Sequence, residues 1–131
     1  MKILFKVDYQ LSRESYELGY TDETTFDFKA NTPYTVFGIC IWHGALHYLT
    51  IEHEGGLPSW YPAEIFRIYD PSLPFDWYFK YYGYNSNTGL VGVWGYKELV
   101  ESYEHYIGLL ERESEHIKIF LERKKEIWGE S

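Results

Sequence analysis

A single cysteine, Cys40, leaves no partner for an intrachain disulfide, which removes the small bridge-stapled secreted folds from consideration. No apolar run approaches the ~20 residues that cross a bilayer. Lys6 and Asp8 interrupt the amino-terminal run before a signal-peptide core forms, so a cytoplasmic location is the expectation. Chemical motifs are scarce too. Ser12, Ser15, Ser59, Ser72, Ser86 and Ser102 all stand outside a Gly-x-Ser-x-Gly elbow, and Gly55-Gly56 is not followed by the Lys-Ser or Lys-Thr of a phosphate loop. Positive charge is in deficit, 12 Lys and Arg against 20 Asp and Glu, and the net charge of −8 repels a phosphate backbone. Direct nucleic-acid binding is therefore not expected, and a basic protein partner is.

What the chain has in abundance is aromatic area. Rings make up 21% of the residues, and tyrosine, the ring that tolerates one wet end, leads with 14 against 8 Phe and 5 Trp. Residues 58–79 crowd Trp60-Tyr61-Pro62, Phe66, Leu73-Pro74 and Trp77-Tyr78-Phe79 into one window, which reads as the corner of a small β-architecture. A length of 131 residues suits one domain, β-rich over 1–95 and helical over 96–131.

Along 3–96, short β-branched and aromatic runs alternate with Gly, Asn, Pro and Asp, the mark of antiparallel strands. Ile3, Phe5, Val7 and Tyr9 share one face, and Tyr16, Leu18 and Tyr20 alternate in turn, which predicts an N-terminal hairpin. The segment 34–42 is apolar on both faces and calls for cover on each side, with Cys40 as a small buried hydrophobe. The return strand from Leu46 sets Leu49 and Ile51 against Tyr48, Thr50, Glu52 and Glu54, and the Glu side is expected to be wet. After Gly95 the period becomes helical. Leu99, Tyr103, Tyr106 or Ile107, and Leu110 form one stripe, and Ile117, Phe120 or Leu121, and Ile127 or Trp128 another, predicting helices at 96–111 and 114–128 that cover the doubly apolar strand. Arg123, Lys124 and Lys125 suit the negative end of the last helix.

Phe28, Tyr34-x-Val36-x-Gly38-Ile39, Tyr48-Leu49-x-Ile51, Glu54-Gly55, Trp60-x-Pro62 and Phe66-x-Ile68-x-Asp70 together resemble the strand order of SH3-like small barrels in short bacterial proteins. The resemblance covers about residues 28–79 and implies a mainly antiparallel SH3-like barrel within an α+β fold. A compact acidic β-domain with a helical tail and no catalytic signature is also similar to the immunity proteins of bacterial toxin systems. That likeness implies inhibition of a basic bacterial protein and carries no functional residue with it.

Candidate residues fall into three sets. Tyr78, Tyr82 and Tyr84, joined by Trp60, Tyr61, Glu52 and Glu54, have the composition of a protein interface. Asp70 and Asp76 flank the proline turn beside large rings, the ingredients of a carbohydrate-directed hydrolase, which is the alternative reading beside a structural or regulatory subunit. The histidines point to no metal. His43-x-x-x-His47 spans a β-turn rather than a helix, with His53 beyond it, and the expected break between Gly108 and Ser114 separates His105 from His116. No cofactor is called for.

Overall fold

The computed structural model describes the backbone of residues 1–129 and side chains up to Ile127, so the place of Trp128 in the second stripe lies outside the described side chains. The fold is α+β, with two antiparallel sheets. In the first, β1 (Lys2–Phe5) lies between β2 (Tyr34–Thr35) and β6 (Phe66–Asp70). The second has the order β5 (Ser59–Pro62), β4 (Ala45–Thr50), β3 (Gly38–Trp42), β8 (Leu90–Gly95), β7 (Tyr78–Tyr81). Four helices complete it: α1 (Arg13–Glu17), α2 (Lys97–Glu101), α3 (Tyr103–Leu110) and α4 (Ser114–Gly129).

The doubly apolar segment turns out to serve both sheets. The Val36 amide donates to the Met1 carbonyl at 3.0 Å, and the next amide, Phe37, donates to Leu49 at 2.8 Å, so the chain changes sheets between adjacent residues. A second crossing follows β5, where a short helical turn (Ala63–Ile65) leads into β6. Among the described residues the sheets do not close into a barrel: β5 and β7 end one, β2 and β6 the other.

The predicted N-terminal hairpin is replaced by a helix. Ser12 caps α1 by accepting from the Ser15 amide, and Arg13 and Glu17 pair one turn apart at 3.0 Å. The Glu64 carboxylate then accepts from the Ser12 amide at 2.9 Å and from the Ser15 hydroxyl, fixing α1 against the corner between β5 and β6. Local capping chemistry here overrides the alternation of Tyr16, Leu18 and Tyr20.

Two clusters hold the fold. One joins Phe37, Cys40, Leu49 and Val93 to Leu99, Val100, Tyr106, Leu109 and Phe120 of the helices. Leu99, Tyr106 and Phe120 follow the predicted stripes, whereas Tyr103 and Leu110 of the first stripe are exposed and Val100 and Leu109 are buried in their place. Leu99 enters where Gly38 and Gly95 face each other across β3 and β8, because a Cβ on either would collide with it. The other packs Ile3, Phe28, Val36, Tyr48, Ile65 and Phe66 between the sheets. That second cluster corrects the wet-face expectation for β4: Tyr48 and Thr50 are buried, and the Thr50 hydroxyl donates to the Thr35 carbonyl at 2.6 Å. The single helix predicted for 96–111 is broken at Ser102, whose extended backbone ends α2 and whose hydroxyl caps α3 by accepting from His105.

Candidate functional site

β7 is the outermost strand of the large sheet, so one row of its backbone groups has no strand partner. All four of its residues are exposed. Register with β8 pairs Phe79 with Trp94 and Tyr81 with Gly92, and the Phe79 and Trp94 rings meet at 4.6 Å. With no Cβ, Gly92 leaves room for both rings to lie beside it. Tyr81 contacts Tyr84 at 6.1 Å, and Tyr84 is 80% exposed. The exposure extends backward along the chain: Ile68, Tyr69 and Leu73 face solvent, and Phe75 is 99% exposed. Of the fifteen large apolar side chains exposed among the described residues, eight lie within 68–84, with Ile68 and Tyr69 on β6, an edge of the small sheet, and Tyr78, Phe79 and Tyr81 on β7, an edge of the large one. Asp76 precedes the strand, and exposed Glu101 and Glu104 flank Tyr103, which meets Tyr82 at 6.3 Å.

The residues singled out from sequence do not form one surface. Tyr78 and Tyr84 are exposed, but Tyr82 is half-buried against α3 with the Lys80 ammonium 4.9 Å above its ring. β5 lies four strand spacings from β7, roughly 19 Å, which removes Trp60 and Tyr61 from that row. These two also point to opposite faces, Trp60 into the helix-side cluster and Tyr61 into the inter-sheet cluster, where it meets Phe28 at 4.8 Å. Glu52 accepts from the Asp27 amide at 2.8 Å beyond the end of β4, and exposed Glu54 sits in the following turn. Within β7 the most exposed rings are Phe79 and Tyr81, which are not among the candidates named from the sequence.

Asp70 and Asp76 do share a groove of about 860 Å³, lined also by Trp77, Tyr78, Lys97 and Arg123. Asp70 is committed there: the Ser72 hydroxyl and amide donate to it at 2.6 and 3.0 Å and hold its carboxyl below the usual range. Arg123 is committed as well, pairing with Glu98 in two-pronged fashion and with Glu126 at 2.9 Å. The same Arg123 hydrogen bonds hold Glu98 below the ordinary carboxylate value. Hydrolytic acid catalysis needs a carboxyl kept protonated, and Asp70 is pushed the other way.

Sequence spacing missed a buried polar line. Tyr96 Oη lies 2.6 Å from His105 Nε2, and His105 Nδ1 lies 3.0 Å from His116 Nδ1. His116 Nε2 is in turn 3.4 Å from the Glu115 carboxylate. When the Tyr96 hydroxyl donates to His105 Nε2, the Nδ1–H of His105 is the donor to His116 Nδ1. Burial, and then the neighbouring His116, push His105 down to about 4. Gly108 makes the pairing possible, because a Cβ there would run into the His116 ring. The ligand atoms of Glu113, Glu115 and His116 fall within 4.8 Å of one another, as do those of Asp27, Glu52 and His53. Most of these side chains are exposed, and Glu52 already serves the Asp27 amide.

No helix among the described residues is long and apolar enough to cross a membrane. Comparison with protein-family models, with curated proteins and with solved structures finds no match to this chain.

Proposed function

We propose that this chain is a non-catalytic protein-binding domain whose docking surface is segment 68–84, centred on the open edge of β7. The observation that carries this reading is the run of exposed aromatic and aliphatic side chains along that segment, three of them on a strand whose backbone is free to pair. Rings of this kind give large contact area at low entropy cost, and a free edge accepts an extended segment as a further strand. The net charge of −8, with Asp76, Glu101 and Glu104 near this edge, favours a basic partner and a cytoplasmic inhibitor of the immunity type.

The test is affinity capture by wild type and by a Phe79→Ser, Tyr81→Ser double variant, each at low and high salt, with melting temperatures measured alongside. A stoichiometric basic protein held by wild type, released by salt and lost by the equally stable variant is the expected result. Equal retention by both forms, or no partner for either, overturns the reading.

A further inference from the structure

On the helix side of the large sheet, beneath α3, lies a cavity of about 430 Å³ walled by Trp42, Leu49, Trp60, Tyr106 and Leu109. Its volume falls within the range of small-molecule sites, roughly 300–1,000 Å³. We infer that it binds a small, uncharged, planar aromatic molecule carrying one N–H or O–H donor.

The aromatic walls set the shape. Trp60 and Tyr106 approach at 5.8 Å, and the Trp42 indole is anchored by donating to the Thr88 carbonyl at 3.1 Å, so its ring is held in place before any ligand arrives. The charge requirement follows from Arg112, the only charged side chain among the described lining residues. Its guanidinium donates to the Pro58 carbonyl and to the Ser59 hydroxyl, tying the end of α3 to the start of β5.

The donor requirement comes from His47, on β4, which lines the cavity and is 2% exposed. His47 Nδ1 lies 2.9 Å from the Ala45 carbonyl, which only accepts, so Nδ1 carries the proton. Burial pushes the imidazole below its ordinary value and keeps it neutral near pH 7, leaving Nε2 a bare acceptor. Among the described residues Nε2 enters no hydrogen bond, but it is not fully enclosed: the enclosed, unpaired polar atom of this wall is the Trp60 indole N–H. A ligand that fills the cavity shuts Nε2 off from water, and a ligand N–H or O–H offsets that cost.

The experiment titrates the full chain with indole and with benzofuran, which keeps the two-ring outline and replaces N–H by oxygen, following the amide and indole N–H signals by NMR. Both probes are expected to shift the Trp42 and Trp60 indole signals, with indole bound about fivefold more tightly, the worth of one hydrogen bond. Only indole should move the His47 Nε2 nitrogen resonance, a readout that needs no variant. His47→Leu, checked for an intact spectrum, should bind the two probes equally. Absence of shifts at Trp42 and Trp60 at saturating probe, or equal affinity of wild type for the two, overturns the proposal.

Discussion

On its helix side the five-stranded sheet is covered by α2, α3 and α4, whereas on the opposite side the cover takes in Ile39 of β3 and Trp77 just before β7 but leaves Phe79 and Tyr81 of β7 to water. The covered side is built by close approach. Gly38 and Gly95 admit Leu99, Gly108 admits His116, and Phe120 meets Phe37 at 5.2 Å. The open side uses rings of similar size without enclosing them. Aromatic content alone therefore does not mark a core in this molecule; what marks it is a small residue opposite a large one, on an element that something else covers.

The sharpest way to break this comparison is to remove one ring from each side. Phe120→Ala, at a site with no exposure, should lower unfolding free energy by about 3–5 kcal/mol in urea titration. Phe79→Ala should cost under about 1 kcal/mol by the same measurement, and equal costs would erase the distinction. Next in size is Gly108→Ala. The added methyl meets the His116 ring, so a loss of about 1–3 kcal/mol is expected, together with altered His105 and His116 imidazole signals.

A change of pH probes the covered side without mutation. The folded value of His105, near 4, lies below its ordinary 6.5, because burial and His116 disfavour the charged form, while Tyr96 and Glu98 are its other polar neighbours and Glu115 faces His116 beyond. Its neutral form therefore contributes stability that is whole above pH 6.5 and is lost as pH falls through about 4. His47 is shifted in the same direction by burial. Urea midpoints should accordingly fall between pH 7 and 5, with His105 still neutral by NMR at pH 5. Carboxylates such as Glu98, lowered from 4.5, contribute to the decline only at more acidic pH. The smallest effect is expected at Tyr84→Ser, within about 0.5 kcal/mol of wild type, since the ring is 80% exposed.

Much of the architecture was legible in the sequence because it rests on period. The doubly apolar 34–42 run, the burial of Phe120 in the second helical stripe and the burial of Cys40 follow from which residues recur on which face. The first stripe holds at Leu99 and Tyr106 but not at exposed Tyr103 and Leu110, because the helix breaks at Ser102. What period does not encode is which face a neighbouring element will cover. The Thr50 side of β4 reads as wet in isolation and is dry because β2 crosses above it. The same limit hid the strongest part of the candidate site: alternation along β7 separates Phe79 and Tyr81 from Tyr78 and Tyr82 correctly, but nothing local says that the small sheet ends before reaching them. His105 and His116 show the converse. The reversal between α3 and α4, where Arg112 adopts φ 59°, was expected to part them and instead brings them face to face.

The edge of β7 has a consequence for the behaviour of many copies at once. Its run Tyr-Phe-Lys-Tyr has the ring content of a fibril-forming segment, yet an in-register stack would set each Lys80 about 4.8 Å from the next. Every added copy would also bring a further charge of −8. Colloidal stability of this chain thus rests on repulsion rather than on concealment, and concentrated salt, by shortening the screening length, is the condition under which ordered aggregates should begin to form.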